Sequence, residues 1–271
     1  MKTIICPIDF SSASINAIEY AAKMAKDVGS QLELIHVQEV EPVAVYAPIS
    51  NVLSSRKIAF SKLKKMCTEV TNTYHVSCIS EVETSNKSLE KILSEKSKGD
   101  YFIVMGTNGA DDIHQYFFGT NSFAVLERAA CPVLIIPEGE LYKPIKKIVF
   151  AWDYKSKNNI LFNQFDFFIE LFKPEINLIH VSKEKTQVSL DLFNAYKDVV
   201  DSKWGDKYNI TFEQIFSDDI EKSLNEYMTK SDADLLMITF YNRGFIGNIF
   251  HGQLVMQLSE EAVYPLLVLH I

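Results

Sequence analysis

Cysteine is scarce in this 271-residue chain, and the four present, Cys6, Cys67, Cys78 and Cys131, all fall in the first half. No two of them form a C-x-x-C pair. They offer neither a disulfide framework nor a zinc ligand set, and read as small buried hydrophobes in a reducing compartment. Long apolar runs are lacking too. No stretch approaches the roughly 20 residues of a membrane span, and the apolar run within MKTIICPIDFSS is too short for a secretory signal. Positive charge is neither in excess nor clustered: 27 Lys and Arg stand against 35 Asp and Glu, for a net charge of −8 shared evenly between the halves. Without a basic tail or stripe, nucleic acid and anionic membrane are excluded as main partners. Together these absences place the protein in the cytoplasm. The six histidines show no metal-ligand spacing with one another or with the cysteines, and Ser11 and Ser12 lack the Gly-x-Ser-x-Gly context of a hydrolase nucleophile.

What is present is ordinary globular material, 47% hydrophobic and 23% charged. It can bury a sizeable core, and its length suits one large or two small domains. Thr3 to Ile8 reads as a strand. Ser11 or Ser12 then caps a helix that Gly29 ends near Val28. Leu32 to Val37 is the next strand and Pro42 to Pro48 a loop. Val52 to Tyr74 reads as a helix with Leu63, Cys67, Val70 and Tyr74 on one face. A strand at Val76 to Val82, a helix at Ser88 to Ser97, and strands at Tyr101 to Met105 and Val133 to Ile136 follow. Alternation of this kind predicts a parallel sheet covered by helices on both faces. The pattern then repeats. KKIVFAWDY (146–154) echoes KTIICPIDF (2–10), and LIHV recurs at an offset of 144. His36 and His180 hold equivalent places there and read as hydrogen-bonded structural residues. ADLLMIT (233–239) echoes GDYFIVM (99–105), and YPLLVLH (264–270) echoes CPVLIIP (131–137). The polar segment around 138–147 reads as the linker. The phenylalanines at 162, 165, 167, 168 and 172 read as the buried face of a helix.

Glycine is the second scarce residue, and six of the ten glycines lie in two equivalent stretches. In the first, the strand Tyr101 to Met105 opens at Gly106, turns again at Gly109 and reaches Gly119-Thr120 before a helix-like run from Ser122. Glycines let a backbone approach an anion and turn its N–H groups inward, and a helix N-terminus adds free donors. The spacing Gly-x2-Gly-x9-Gly-Thr is neither the Walker nor the Rossmann pattern. Ligands of open parallel sheets bind at the carboxyl ends of strands where the strand order reverses. Asp9 and Gly106 share one such crevice if the first and fourth strands are neighbours.

This spacing resembles the ATP-binding signature of the universal stress protein family, Gly-x2-Gly-x9-Gly-Ser/Thr, and the internal repeat extends the likeness over nearly the whole chain. The resemblance implies a tandem protein, with residues 1–140 carrying the motif and residues 145–271 a degenerate copy. It implies an α/β fold of the adenine nucleotide alpha hydrolase-like kind: two open parallel five-stranded sheets of order 3-2-1-4-5. It further implies ATP, with Mg²⁺ or Mn²⁺, as the ligand. Pro7 and Ile8 would wall the base, Asp9 and the backbone of Val37 would hold the adenine, and Met105 and Gly106 would lie by the ribose. Gly109, Gly119, Thr120, Asn121 and Ser122 would cradle the phosphates. Because the family dimerises through its last strands, Val133 to Ile136 and Leu266 to His270 are expected to pair as an intrachain pseudo-dimer. A homodimer of the whole chain and an unknown protein partner stay open.

The chain departs from the pattern in two places. Between the second and third glycines it carries Asp111 and Asp112 where the family often has a base. Either they face solvent or a divalent cation bridges them to phosphate. In the second half, Ala151 and Trp152 replace Pro7 and Ile8, with an indole able to fill the adenine space, Gly252 matches Gly119, and Gln253 replaces Thr120. Gly244 and Gly247 stand too close to Gly252 to restore the span, while Asp153 survives and Arg243 offers another geometry for phosphate. The positions of Gly106 and Gly109 become Thr239 and Asn242, or Phe240 and Arg243 in a register one residue on. The expectation is one nucleotide per chain, in the first half, and a binding protein that acts through its nucleotide-bound state. The alternatives are a slow ATP-hydrolysing or adenylating enzyme of the same superfamily, and an interaction module without ligand.

Overall fold

A computed structural model of the chain describes residues 3–39, 49–98, 101–107, 120–152, 159–240, 249–260 and 263–270. It forms two compact units, Met1–Tyr142 with Glu260–Val263 and Lys143–Ser259 with Tyr264–Ile271. The first unit runs β1 (Thr3–Pro7), α1 (Ser12–Val28), β2 (Gln31–Glu39), α2 (Ile49–Tyr74) and β3 (Cys78–Ser85). It continues with α3 (Leu89–Lys96), β4 (Tyr101–Thr107), α4 (Thr120–Arg128) and β5 (Val133–Pro137). The second runs β6 (Lys147–Ala151), α5 (Asn159–Phe172), β7 (Glu175–Ser182) and α6 (Gln187–Val200), which passes into a π-helical turn, Asp201–Gly205. Then come β8 (Ile210–Phe216), α7 (Ile220–Ser231), β9 (Leu235–Phe240), α8 (Ile249–Glu260) and β10 (Leu266–His270). In the first unit the strands lie in the order β3-β2-β1-β4-β5, and in the second β8-β7-β6-β9-β10, all parallel. Both follow the 3-2-1-4-5 order.

Local chemistry sets α1. The Ser11 hydroxyl accepts from the Ser14 N–H at 3.2 Å, capping the first turn. Gly29 ends the helix in the left-handed region at φ 65°, where a Cβ is disfavoured. Gly29→Ala should therefore destabilise the first unit by about 1 kcal/mol, read from a urea unfolding midpoint; no loss would mean the turn can relax. Between its caps, Ala17, Ala21, Ala22 and Ala25 are fully buried, and their small side chains let the helix lie close to the sheet. On α2 the buried stripe is Ala59, Leu63, Cys67 and Val70, while Tyr74 is half-buried. Three cysteines are buried and Cys78 is half-buried; all four are free thiols.

β3 begins two residues later than the sequence pattern predicts and runs to Ser85. Val76 is buried ahead of the strand, and the polar residues up to Ser85 continue the ladder with β2 through backbone pairing alone. Across these strands stands a charged triad. Glu33 on β2 is 5% exposed, and Lys96 Nζ at the end of α3 donates to Glu33 Oε1 and to Glu81 Oε2 of β3, each at 2.6 Å.

The second unit is built on aromatic packing. Phe165 and Phe168 are fully buried on α5 beside Phe150, whereas Phe167 and Phe172 are half-buried; the Phe162 side chain lies outside the described residues. Trp204, in the π-helical turn, packs 4.2 Å from Phe165 and donates from Nε1 to Asp166 Oδ1 at 2.6 Å. Among the described residues no helix is long and apolar enough to cross a membrane.

Candidate functional site

β1 lies between β2 and β4, so the chain crosses from β1 to β2 on one side and reaches β4 on the other. The crevice of an open α/β sheet opens at this reversal. The β1–β2 ladder pairs Thr3 with Gln31, and the β1–β4 ladder pairs Thr3 with Tyr101. Continued by the same offsets, these ladders set Ile8 level with His36 and Gly106, and Asp9 level with Val37 and Thr107. Residues far apart in sequence thus reach one strand-end edge.

Pro7 ends β1 and is buried, as is Ile8. The Ile8 N–H donates to the Ile35 carbonyl at 2.8 Å, and His36 Nδ1 donates to the Ile8 carbonyl at 2.7 Å. A carbonyl only accepts, so Nδ1 carries the proton. His36 therefore straps the exit of β1 to β2, the structural part read for it in the sequence. Asp9 is exposed, and its Oδ1 accepts from the Ser11 N–H at 2.9 Å and the Ser11 hydroxyl at 2.6 Å. Partial desolvation raises the Asp9 pKa, but hydrogen bonds from the Ser11 side chain, the Ser11 backbone and Ser14 prevail and hold it below the usual range. Half of the carboxylate is thus committed to the turn that starts α1.

Phe10 is a residue that sequence reasoning passed over. Its φ of 68° is costly for a bulky side chain. Its ring lies 4.8 Å from the His36 ring and 5.1 Å from Lys62 Nζ on α2. Lys62 was not foreseen either, although the spacing of Ala59 and Leu63 on the buried stripe does set it on the flank of the helix.

Val37 is half-buried in β2 opposite Glu83. Met105 is buried and Gly106 follows it in β4, opposite Ile136 of β5. Gly106 has a packing reason of its own: a Cβ there would stand 2.2 Å from the Ala13 carbonyl oxygen. Thr120 and Asn121 open α4 and Ser122 is half-buried in its first turn. Gly109, Asp111, Asp112 and Gly119 lie outside the described residues, as do the Thr120 and Asn121 side chains. Among the described residues no cluster of three His, Cys, Asp or Glu could hold a metal ion.

The second unit repeats the frame 144 residues on. The Trp152 N–H donates to the Ile179 carbonyl at 3.0 Å, and His180 Nδ1 donates to the Trp152 carbonyl at 2.8 Å. Since Ile148 pairs with Leu235, the ladder carries Trp152 level with Thr239, which therefore takes the place of Gly106. The strand-end contents differ. The Trp152 indole lies parallel to Phe150 at 5.7 Å and meets Tyr196 edge-on at 4.7 Å. A cavity of about 250 Å³ opens beside it; the indole walls this space and does not fill it. Asp153, Asn242, Arg243, Gly244 and Gly247, and the Gly252 and Gln253 side-chain positions, lie outside the described residues.

Residues 1–137 match the universal stress protein family. The chain is 31% identical over 142 residues to a universal stress protein of Methanocaldococcus jannaschii, a match covering 50% of this chain and 81% of the relative. It is 32% identical over 140 residues to universal stress protein A homolog 1 of Coxiella burnetii, covering 50% of this chain and 95% of that one. The crystal structure of a universal stress protein from Archaeoglobus fulgidus has the same fold across both units, with a TM-score of 0.76 at 17% identity, covering 99% of this chain and 98% of that chain. The chain belongs to the universal stress protein family.

Proposed function

We propose that the first unit binds one adenine nucleotide, ATP with Mg²⁺ or Mn²⁺, and that the chain serves the stress response through binding or signalling that depends on the nucleotide. The observation that carries this reading is the meeting of the β1 and β4 ends at the reversal of strand order, with Ile8, Asp9, Val37 and Gly106 on one edge. In this reading Pro7 and Ile8 wall the base. Asp9, ionised at neutral pH and anchored through one oxygen, accepts from the ligand with the other. The glycine loop from Gly109 to Gly119 and the start of α4 take the phosphates. Residues 145–271 act as a second domain of the same fold whose glycine spacing no longer suits a triphosphate.

Calorimetric titration of the full chain with ATP and Mg²⁺ should give a stoichiometry near one. Gly119→Val should abolish the binding heat, because a side chain would fill the space the anion needs. Asp9→Ala should weaken binding while the chain still unfolds cooperatively. Two equivalent sites, or unchanged affinity in both variants, would overturn the assignment.

A further inference from the structure

The cavity beside Trp152 sits at the carboxyl ends of β6, β7 and β9, where an open α/β sheet takes its ligand. Its walls are Trp152, Val181, Ile220, Leu224, Ile238 and Leu254. Polar side chains enter the lining only at His180, whose ring is fixed by its bond to the Trp152 carbonyl, and at Thr239. Among the described lining residues no side chain is cationic. An apolar cavity of about 150 Å³ takes up benzene. On that scale 250 Å³ admits two fused rings. Apolar walls with a few fixed polar groups are the ordinary make-up of a small-molecule pocket.

We propose that the second unit binds an uncharged, largely apolar small molecule of about two fused rings in this cavity, with one hydrogen-bonding atom directed to Thr239. The frame is that of the first unit, but the contents select a different chemistry. Where Gly106 lets the first turn of α1 close over β4, Thr239 lines the cavity with a side chain. Where Ile8 stands, Trp152 offers an aromatic wall.

Both tryptophans of the chain, Trp152 and Trp204, lie in this unit, which supplies the readout. The full chain is titrated with prodan, an uncharged naphthalene ketone whose emission shifts to the blue in apolar surroundings. Saturable binding of one prodan per chain is expected, with a blue shift and quenched tryptophan emission. Leu254→Trp, which fills the cavity, should lower the affinity by about tenfold or more without lowering the thermal midpoint. Ile220 is 37% exposed at the rim, so Ile220→Trp spares the core and decides the matter if Leu254→Trp fails to fold. Binding that does not saturate, or unchanged affinity in the folded filling variants, would overturn the proposal. Displacement of prodan by ATP would do so as well, since it would make this cavity a nucleotide site. Loss of ATP binding in Gly119→Val leaves prodan binding intact, so this inference and the function proposed for the first unit fail separately.

Discussion

Replacing Lys96 with methionine should destabilise the first unit by about 3 kcal/mol at neutral pH, the lower end of the range for breaking a buried ion pair. The lower end applies because Lys96 is 27% exposed and Glu81 39% exposed at the side chain, so water screens part of the triad. Glu33 has no such relief at 6% side-chain exposure. Burial raises its pKa against the pull of Lys96, while Glu81, also desolvated in part, is held low by hydrogen bonds from Lys96 and Glu33. A carboxyl whose folded pKa is raised contributes stability that is present below its ordinary pKa and lost as pH rises through the folded value. Without Lys96, the Glu33 value moves further up. The deficit of the variant should therefore shrink as pH falls from neutrality through that raised value. Urea denaturation of both proteins at several pH values measures this. A deficit that grows on acidification would reverse the assignment of Glu33 as the strained member. Glu33→Gln in the Lys96→Met background should recover much of the loss, since the uncompensated buried charge is then gone.

Gly106→Val should be as damaging, by about 3 kcal/mol. The first atom of any side chain would meet the Ala13 carbonyl oxygen at 2.2 Å and its carbon at 2.5 Å, and these are backbone atoms that cannot rotate away. Relief requires the first turn of α1 to lift from β4, with the turn that holds Asp9 against Ser11. Thermal unfolding should show a lowered midpoint even without nucleotide. An unchanged midpoint would mean that α1 shifts freely and that Gly106 has no packing part. Gly119→Val, by contrast, is expected to act on ligand binding, so the two glycines separate a defect of frame from a defect of site.

These cases mark what a single sequence reveals. Ser11 and Gly29 were legible because caps depend on residues within one turn of each other. The parallel sheet was legible because short buried strands alternate with helices in a repeat, whereas its 3-2-1-4-5 order came only from the family resemblance; the solved relative shares the fold across the chain. Glu33 was not, since nothing within QLELIHV marks its acid as buried, and the lysine that neutralises it arrives 63 residues later. Gly106 was read as a ligand glycine from its neighbours in sequence, while its contact with Ala13 becomes visible only when α1 folds back over β4. Trp152 was noticed as a substitution, but whether an indole fills a space or walls it depends on Phe150, Tyr196 and Trp204, which no local pattern ties to it.

The histidine straps carry one more consequence. Each holds its carbonyl through Nδ1–H, the donor of one imidazole tautomer. In each unit the exit of the first strand is thereby knotted to the second strand by a side chain as well as by the backbone ladder. The same knot recurs 144 residues on, so the two strand-end mouths share one jig while their contents diverge.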